Sequence, residues 1–251
     1  MLKTNILSIP LTLLTKEDIL EQIKKGKREN GDFLHIISVN PENLVIARKD
    51  DSFRNVVVTT QSHIPDGMGV VAAVRILTGK HISRLTGVDL MKTLLEASAE
   101  YSLRVLLIGG KANLAEYVSK CYNSRFPSLN IAGIQGISNI AKPTGSEEKA
   151  IFRIVSTTRP HLVFVSFGSP QQELWIDKHK HEFGGAMVMG VGGAFDFLGN
   201  RITRAPNIIQ NTGLEWLYRL LREPWRIVRQ TRLIVFLTLV IKERINKWLS
   251  F

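Results

Sequence analysis

The sequence predicts an α/β fold: a mostly parallel sheet with helices on both faces, followed by a basic helical C-terminal appendage. Short apolar runs rich in β-branched residues alternate with segments of helical periodicity, which is typical of such a sheet. Glycine and polar residues follow most of these runs, where strands of a parallel sheet end. Near the carboxyl terminus, arginines instead recur at three- and four-residue steps beside Trp and Leu, which indicates helix.

Six apolar runs are predicted to form buried strands, and seven segments are predicted to form the helices that connect or cover them. The predicted strands span residues 33–39, 55–60, 103–109, 130–134, 161–167 and 186–191. The predicted helices lie near residues 15–25, 41–49, 68–78, 88–101, 112–125, 145–157 and 170–182. This alternation ends near Arg204, which predicts an α/β core over residues 1–204 and a basic, amphipathic appendage over residues 205–251.

Composition and hydropathy indicate a globular protein of a reducing compartment. The chain is 44% hydrophobic and 22% charged, and its single cysteine, Cys121, excludes an internal disulfide and a cysteine-cluster metal site. The longest apolar run, residues 233–241, is far shorter than the about 20 residues that a spanning helix needs. No secretory signal is evident, so we expect a cytoplasmic protein.

The last 37 residues form a basic, amphipathic tail that holds eight Lys or Arg and three Glu, and therefore five of the eleven net positive charges. Arg219, Arg222, Arg226 and Arg229 fall on neighbouring positions of one helix. Basic residues beside apolar ones suit an anionic membrane surface better than nucleic acid. Two alternatives stay open: the leucines pack on the core while the arginines are solvated, or the protein is a non-catalytic adaptor for membranes or nucleic acid.

Residues 67–72 formally match the dinucleotide fingerprint G-x-G-x-x-A, which would indicate an NAD(P)-dependent oxidoreductase. Pro65 and Asp66 separate this fingerprint from the preceding apolar run, and Arg84 lies near the position where the ribose-binding acid is expected, so this is the weaker interpretation. Asp66 at a strand end is a candidate general base. A cap for the helix that begins at Gly67 is its more ordinary role.

The other strand ends carry candidate ligand-binding residues, because ligands of open α/β sheets bind beyond the carboxyl ends of the strands. Paired glycines leave backbone N–H groups free for phosphate or sugar oxygens, and glutamines can bind a uracil edge or sugar hydroxyls. Each residue could equally serve only a tight turn or a helix start. The candidates of this kind are Gly109, Gly110, Gln171, Gln172, Gly192 and Gly193.

Three common motifs are absent from the sequence: the Asp-x-Asp carboxylate pair, the P-loop and the G-x-S-x-G hydrolase elbow. Without Asp-x-Asp, the usual carboxylates for a divalent ion on a nucleotide diphosphate are missing, so no metal site is predicted. The six histidines show no metal-ligand spacing and are expected at the surface.

Eight short motifs follow one another in order from about residue 35 to residue 232, and together they resemble one family. The motifs are Val39-Asn40, Pro65-Asp66-Gly67-x-Gly69, Arg84-x-x-Gly87-x-Asp89, Leu107-Ile-Gly-Gly110, Gly168-x-Pro170-x-Gln-Glu173, Gly190-Val-Gly-Gly-Ala-Phe-Asp196, Arg204-Ala-Pro206 and Gly213-Leu-Glu-Trp-Leu-Tyr-Arg219. They resemble the WecG/TagA/CpsF glycosyltransferases, glycosyltransferase family 26.

The resemblance implies a bacterial, inverting hexosyltransferase with a Rossmann-like α/β core. It would move a sugar, N-acetylmannosamine or another hexose, from a UDP-sugar to a polyprenyl-diphosphate-linked saccharide in cell-surface polysaccharide or teichoic acid synthesis. It implies no metal and no cofactor, and peripheral attachment to the inner face of the cytoplasmic membrane. The expected partners are the UDP-sugar, the lipid-linked acceptor and an anionic membrane, with no nucleic acid and with a homo-oligomer left open.

The resemblance also suggests roles for individual residues. It makes Asp66 the base, places Ser38 beside it, and makes Arg219, Arg226 and Arg229 the arginines that reach over the diphosphate. The expected substrate-binding residues are Asn40, Gly67, Arg84, Asp89, Gly109, Gly110, Gln171, Gln172, Glu173, Gly192 and Gly193. Among them, Asn40 and residues 171–173 map to the donor pocket, and Arg84 maps near the acceptor. Ile137 stands where an aromatic residue is often seen, which puts the identity of the donor in question.

Overall fold

The computed structural model describes residues 1–25, 33–111, 113–222, 224 and 227–249. These residues form an α/β fold, as predicted, around an eight-stranded sheet. The strands are β1 (Leu2–Ile6), β2 (Ile9–Leu13), β3 (Leu34–Val39), β4 (His63–Pro65), β5 (Arg104–Gly109), β6 (Asn130–Ile134), β7 (Leu162–Ser166) and β8 (Met187–Gly190). Their order in the sheet is β1-β2-β4-β3-β8-β7-β5-β6. Among the described strands, only the β1–β2 pairing is antiparallel, so β2 to β8 all end at one edge of the sheet.

Helices lie on both faces of the sheet and form the carboxyl-terminal region. They are α1 (Lys16–Lys25), α2 (Pro41–Ala47), α3 (Asp51–Thr59), α4 (Met68–Thr78), α5 (Gly87–Glu100), α6 (Leu114–Arg125), α7 (Gly145–Thr158), α8 (Gln171–Lys178), α9 (Ala194–Leu198), α10 (Asn207–Asn211), α11 (Glu215–Arg222) and α12 (Ile227–Leu249). No helix in the described part of the chain is both long enough and apolar enough to span a bilayer.

The strand predicted at residues 55–60 is wrong, because this segment belongs to helix α3. The carboxylate of Asp50 caps the helix by accepting a hydrogen bond of 3.0 Å from the backbone N–H of Phe53. Phe53, Val56 and Val57 are buried at helical spacing. The run of valines suggested a strand, but tertiary burial of one helix face outweighs the weak β preference of these residues.

The β1–β2 hairpin was not predicted, because Asn5 and Pro10 interrupt its two short apolar runs. In the structure these two residues lie opposite each other across the hairpin. The hairpin extends the parallel sheet through β2, which pairs with β4. One of the two edge strands of the sheet therefore comes from a segment whose own pattern is too short to indicate a strand.

The expectation that all the histidines lie at the surface is also wrong, since His35, His63 and His179 are buried. The ring of His63 is satisfied by backbone: Thr12 N–H donates to Nδ1 at 3.1 Å, and Nε2 lies 2.9 Å from the carbonyl oxygen of Val57. Burial lowers the pKa of His63 and keeps this ring neutral. A histidine whose ring nitrogens both find partners can be buried between β2, β4 and α3.

Helix α12 packs against α2 and α4 and contributes to the core. Phe236 and Val240 are fully buried there, in one apolar cluster with residues of β1 and β2 such as Ile6 and Leu11. The carboxyl-terminal segment is thus helical, as predicted, and one face of its longest helix is part of the core. Whether residues 205–251 form a domain of their own stays a prediction.

Candidate active site

A pocket of about 290 Å³ lies beyond the carboxyl ends of β3 and β4. The first turn of α2, the β4–α4 junction and the segment between α4 and α5 form one side of the pocket, while residues 204–219 and Leu233 close the other. The charged residues that line it are Glu42, Asp66, Arg84, Arg204, Glu215 and Arg219. The core and the carboxyl-terminal helices therefore build this site together.

Asp66 follows β4 directly, and its backbone N–H donates to the carbonyl oxygen of Val39 at 2.8 Å. The N-cap of α4 is Gly67, which makes no side-chain cap, so the capping role considered for Asp66 is not the one observed. Burial raises the pKa of Asp66 to about 6, although a hydrogen bond from the backbone of Gly87 and the charge of Arg84 oppose that rise. A carboxyl group with this pKa suits proton transfer near neutral pH.

Ser38 lies beside Asp66 at the end of β3, although it is not part of the pocket lining. A Cβ placed on Gly87 would lie 3.2 Å from Ser38 Oγ and 4.0 Å from Asp66 Oδ2, so the two oxygens flank the same glycine. Ser38 Oγ is buried and has no hydrogen-bond partner among the described residues. An unpaired hydroxyl next to a carboxylate can become a hydrogen-bond donor to that carboxylate.

A chain of ion pairs links the start of α11 to Arg84 and Arg204, which line the pocket. Arg204 Nε lies 3.1 Å from Glu215 Oε1, and Arg84 Nη1 lies 3.7 Å from Glu215 Oε2. Arg204 also binds Asp89 with both terminal nitrogens, and the Nη2–Oδ2 distance is 3.0 Å. Glu215 thus connects two arginines, one of which acts on the pKa of Asp66.

Asp89 was expected to bind substrate, but the structure engages both of its oxygens with protein groups. In addition to Arg204, it accepts a hydrogen bond of 2.6 Å from Thr86 Oγ1. Burial alone would raise the pKa of Asp89, but these hydrogen bonds outweigh burial and lower it. Asp89 does not line the pocket, and its observed contacts orient Arg204.

Of the three tail arginines predicted to act on the diphosphate, the structure describes the side chain of only one. Arg219 lines the pocket, and its guanidinium carbon lies 4.9 Å from the centre of the Phe197 ring. Arg226 and the side chain of Arg229 lie outside the described residues. Arg232, which was not predicted, binds Glu42 at 2.6 Å and so fixes α12 to the pocket wall.

The remaining candidates lie along the same edge of the sheet, beyond β5, β7 and β8. Gln172 accepts hydrogen bonds from the backbone N–H groups of Gly168 at 3.1 Å and Gly192 at 3.0 Å, and it donates to Glu173 at 2.7 Å. It therefore ties the loop after β7 to the loop after β8. Gln172 and Glu173 are buried, and burial raises the pKa of Glu173. Their observed contacts are with the protein, whereas Gln171 is exposed.

Gly109 and Gly110 end β5 with φ values of +97° and +79°, a region that glycine adopts without strain. A Cβ on Gly109 would lie 2.8 Å from the ring of Phe167, which also packs against Gly136. This aromatic ring was not predicted, although its place just after β7 was a usable signal. Because β8 pairs with β3, the glycine ends of β5, β7 and β8 continue the edge that carries Asp66.

A family model described as "Glycosyl transferase WecG/TagA/CpsF family" matches residues 4–250. The chain belongs to this family. A curated relative from Bacillus subtilis (strain 168), named N-acetylglucosaminyldiphosphoundecaprenol N-acetyl-beta-D-mannosaminyltransferase, is 33% identical over 217 residues, which cover 84% of this chain and 80% of the relative. The resemblance drawn from the eight motifs is confirmed.

Membership of this glycosyltransferase family makes the dinucleotide interpretation unnecessary, and the packing explains one of its glycines. A Cβ on Gly69 would clash with the ring of Pro41, so this glycine lets the first turn of α4 approach α2. Gly67, Met68 and Gly69, at the start of α4, line the pocket, and the free N–H groups of a helix start can bind an anionic group. No cluster of three or more potential metal ligands occurs among the residues that the structure describes.

Arg204 and Glu215 fall within the family motifs of this glycosyltransferase, but the sequence pattern predicts no role for them in the site. Their importance depends on contacts between residues far apart in the chain, since Arg204 reaches Asp89 across 115 positions. Asn40, Gly67 and Arg84 line the pocket, as Asp66 does. Gly109, Gly110, Gln171, Gly192 and Gly193 lie outside it.

Proposed function

We propose that this glycosyltransferase moves a hexose, of the N-acetylmannosamine type or another, from a UDP-sugar to a polyprenyl-diphosphate-linked saccharide. The product would serve the synthesis of a bacterial surface polysaccharide or teichoic acid. The observation that carries the proposal is the carboxyl group of Asp66, which burial holds at a pKa of about 6 inside a pocket lined by arginines. The acceptor named for the Bacillus subtilis relative, a sugar on diphosphoundecaprenol, supports the class of acceptor.

Asp66 would act as the general base of an inverting transfer. An acceptor hydroxyl attacks the anomeric carbon from the face opposite UDP, its proton passes to Asp66, and the bond between that carbon and the UDP oxygen breaks. With a pKa of about 6, the carboxyl group is mostly ionised at pH 7 yet more basic than an ordinary aspartate. The unpaired hydroxyl of Ser38, which lies beside Asp66 but outside the pocket lining, would assist the base by holding its carboxyl group.

Guanidinium groups would balance the negative charge that develops on departing UDP. Arg219 lines the pocket, and charge-assisted hydrogen bonds from arginine to phosphate are among the strongest that side chains form. We extend this role to Arg226 and Arg229 on the sequence alone. Because the sequence holds no Asp-x-Asp, we propose that these arginines serve in place of a divalent metal ion.

The donor and the acceptor would share the edge of the sheet. The nucleotide would lie along the glycine ends of β5 and β8, near Gln171 and next to Asn40. Arg84 and the carboxyl-terminal helices surround the other side of Asp66, where the lipid-linked acceptor would bind. Asp66 would thus lie between the two substrates.

We also propose that the protein binds peripherally to the inner face of the cytoplasmic membrane. Opposite its buried face, α12 carries an apolar stripe, defined here as Ile234, Leu237, Ile241, Ile245 and Trp248, all of them exposed. Ile234 is 67% exposed and Trp248 is 72% exposed, which is unusual for such large apolar side chains unless another phase covers them. Basic residues flank the stripe, as expected at an anionic surface.

The test is a transfer assay with a panel of UDP-sugars and a synthetic prenyl-diphosphate saccharide, run with and without a chelator. The matched variants are Asp66→Asn and Asp51→Asn, which make the same chemical change in the pocket and at an exposed position of α3. We expect Asp66→Asn to lose about 10²–10⁴-fold in rate while UDP still binds, and Asp51→Asn to behave as wild type. Normal transfer by Asp66→Asn would exclude this base, and loss of activity with the chelator would exclude the role given to the arginines.

A further inference from the structure

A second cavity, of about 730 Å³, lies between the tip of the β1–β2 hairpin, the α2–α3 segment and α12. It shares no lining residue with the pocket of Asp66. Its charged lining residues are Arg48, Arg54, Lys242, Glu243 and Lys247. Four cations thus face one carboxylate, and we call this cavity the basic groove.

The carboxylate of Glu243 is already committed to the protein. It accepts a hydrogen bond of 2.8 Å from the backbone N–H of Leu7 and forms an ion pair of 2.9 Å with Lys247. Arg54 donates to the carbonyl oxygen of Ser8 at 2.9 Å. Leu7 and Ser8 form the hairpin tip with φ values of +55° and +62°, so these contacts hold a backbone turn that non-glycine residues seldom adopt.

Arg48 and Lys242, by contrast, make no side-chain hydrogen bond or ion pair with any residue that the structure describes. Both are exposed at the groove. A guanidinium and an ammonium group that face one cavity without a carboxylate partner repel each other, and a bound anion would relieve that repulsion. Phosphate suits them best, because arginine binds its oxygens as a fork.

The groove borders the apolar stripe of α12. Lys242 follows Ile241 directly and precedes Ile245 by three residues, and both isoleucines belong to the stripe. If the stripe enters the hydrocarbon boundary of a bilayer, the groove lies at the level of the lipid phosphates. We propose that the basic groove binds the phosphate group of an anionic lipid, an inference that rests on the proposed membrane association.

The experiment measures binding of the full-length protein to vesicles of phosphatidylcholine with and without phosphatidylglycerol. Arg48→Ala is compared with Arg244→Ala, because Arg244 lies on α12 itself but is not part of the groove lining. Diffuse attraction predicts at least as large a loss for Arg244→Ala, about fivefold for one charge near an anionic surface. The groove predicts a loss of about tenfold for Arg48→Ala, typical of a charged hydrogen bond, and a smaller loss for Arg244→Ala.

A double-mutant cycle sharpens the test. If Arg48 and Lys242 hold the same phosphate, the loss for Arg48→Ala/Lys242→Ala is smaller than the product of the two single losses. Equal losses for Arg48→Ala and Arg244→Ala, or full additivity in the cycle, would overturn the groove. In another contrary outcome, soluble glycerol phosphate protects the wild type against unfolding while the variants bind vesicles equally well. That result would overturn a lipid as the source of the phosphate in the groove.

Failure of the proposed function is recognised separately. Wild-type protein that binds neither kind of vesicle would overturn the membrane association and the groove with it. Transfer to a short, water-soluble acceptor is expected to be unchanged in Arg48→Ala, which also shows that the variant is folded. Loss of that activity together with a lowered melting temperature would assign Arg48 a structural role and overturn the groove as a lipid site. In that case Arg48→Lys, which keeps the charge, is also expected to show weaker vesicle binding and a lower melting temperature than the wild type.

Discussion

Asp66→Asn is expected to make the protein more stable while it slows transfer by about 10²–10⁴-fold. In the folded protein burial raises the pKa of Asp66 from 3.8 to about 6. The folded state therefore binds this proton more tightly than the unfolded state does. As the pH rises from about 4 to about 6, the folded state loses stability, because the buried group must ionise. Asparagine fills the same volume and never ionises.

The size of the effect follows from the shift in pKa. A difference of about 2 units corresponds to roughly 3 kcal/mol, at about 1.4 kcal/mol per unit. The folded wild type is destabilised by this full amount only above about pH 6. The destabilisation vanishes below about pH 4, where the folded and unfolded states both hold the proton. At pH 7 we expect Asp66→Asn to be up to about 3 kcal/mol more stable than the wild type, a rise in melting temperature of roughly 5–10 °C.

Urea unfolding followed by circular dichroism, at pH values from 4 to 7, measures this difference. Other buried acids such as Glu173 titrate in both proteins and cancel when the two free energies of unfolding are subtracted. Any difference in the free energy of unfolding that comes from packing of the introduced amide at position 66 is the same at every pH. If the difference between the two proteins does not grow between pH 4 and pH 7, the carboxyl group of Asp66 is not desolvated, and its assignment as a tuned base fails.

Three further predictions concern the network, the helix α12 and the loops. Glu215→Gln removes a negative charge that raises the pKa of Asp66, so the acid limb of the pH profile of kcat/KM is expected to move to lower pH; an unmoved limb would show that Glu215 is not coupled to the base. Phe236→Ala is expected to lower the free energy of unfolding by about 3–5 kcal/mol. Ile234→Ala, on the exposed face of the same helix, should leave that energy nearly unchanged and weaken vesicle binding, and similar unfolding energies for the two variants would contradict the observed orientation of α12. Gly190→Ala would place a Cβ 2.5 Å from the side-chain amide nitrogen of Gln172, which ties the loops after β7 and β8. Urea unfolding should therefore show a free energy of unfolding lower by about 1–3 kcal/mol. Wild-type stability of this variant would show that Gln172 is free to move.

Much of the core could be predicted from sequence because its signals are local. The strand at residues 130–134 and the helix at 68–78 carry their periodicity and their turn residues within a dozen positions. Asp66 was recognisable because a polar residue at the end of a buried strand of an α/β sheet lies at the ligand-binding edge. The amphipathic pattern of the tail could also be predicted, since arginines recur every three or four residues with leucines between them.

The order of strands was not accessible in this way. The hairpin strands β1 and β2 join the sheet only because β4 offers β2 a free edge. Residues 55–59 are helical because α3, to which they belong, buries one face against β2 and α8. A short valine-rich run suits either state, and its packing partners decide between them. Those partners are distant in sequence, so periodicity within the run carries no information about them.

The sequence by itself determined the fold class, the family, the candidate base and the basic amphipathic character of the tail, because each depends on residues close together in the chain or on motifs in a fixed order. Only the tertiary structure decided which face of α12 is buried, that Asp89 binds Arg204, and that Glu215 connects Arg204 with Arg84. Two of these ion pairs, Arg204 with Asp89 and Glu215 with Arg84, join residues more than 100 positions apart, and their strength depends on burial and distance. Neither quantity exists until the chain has folded.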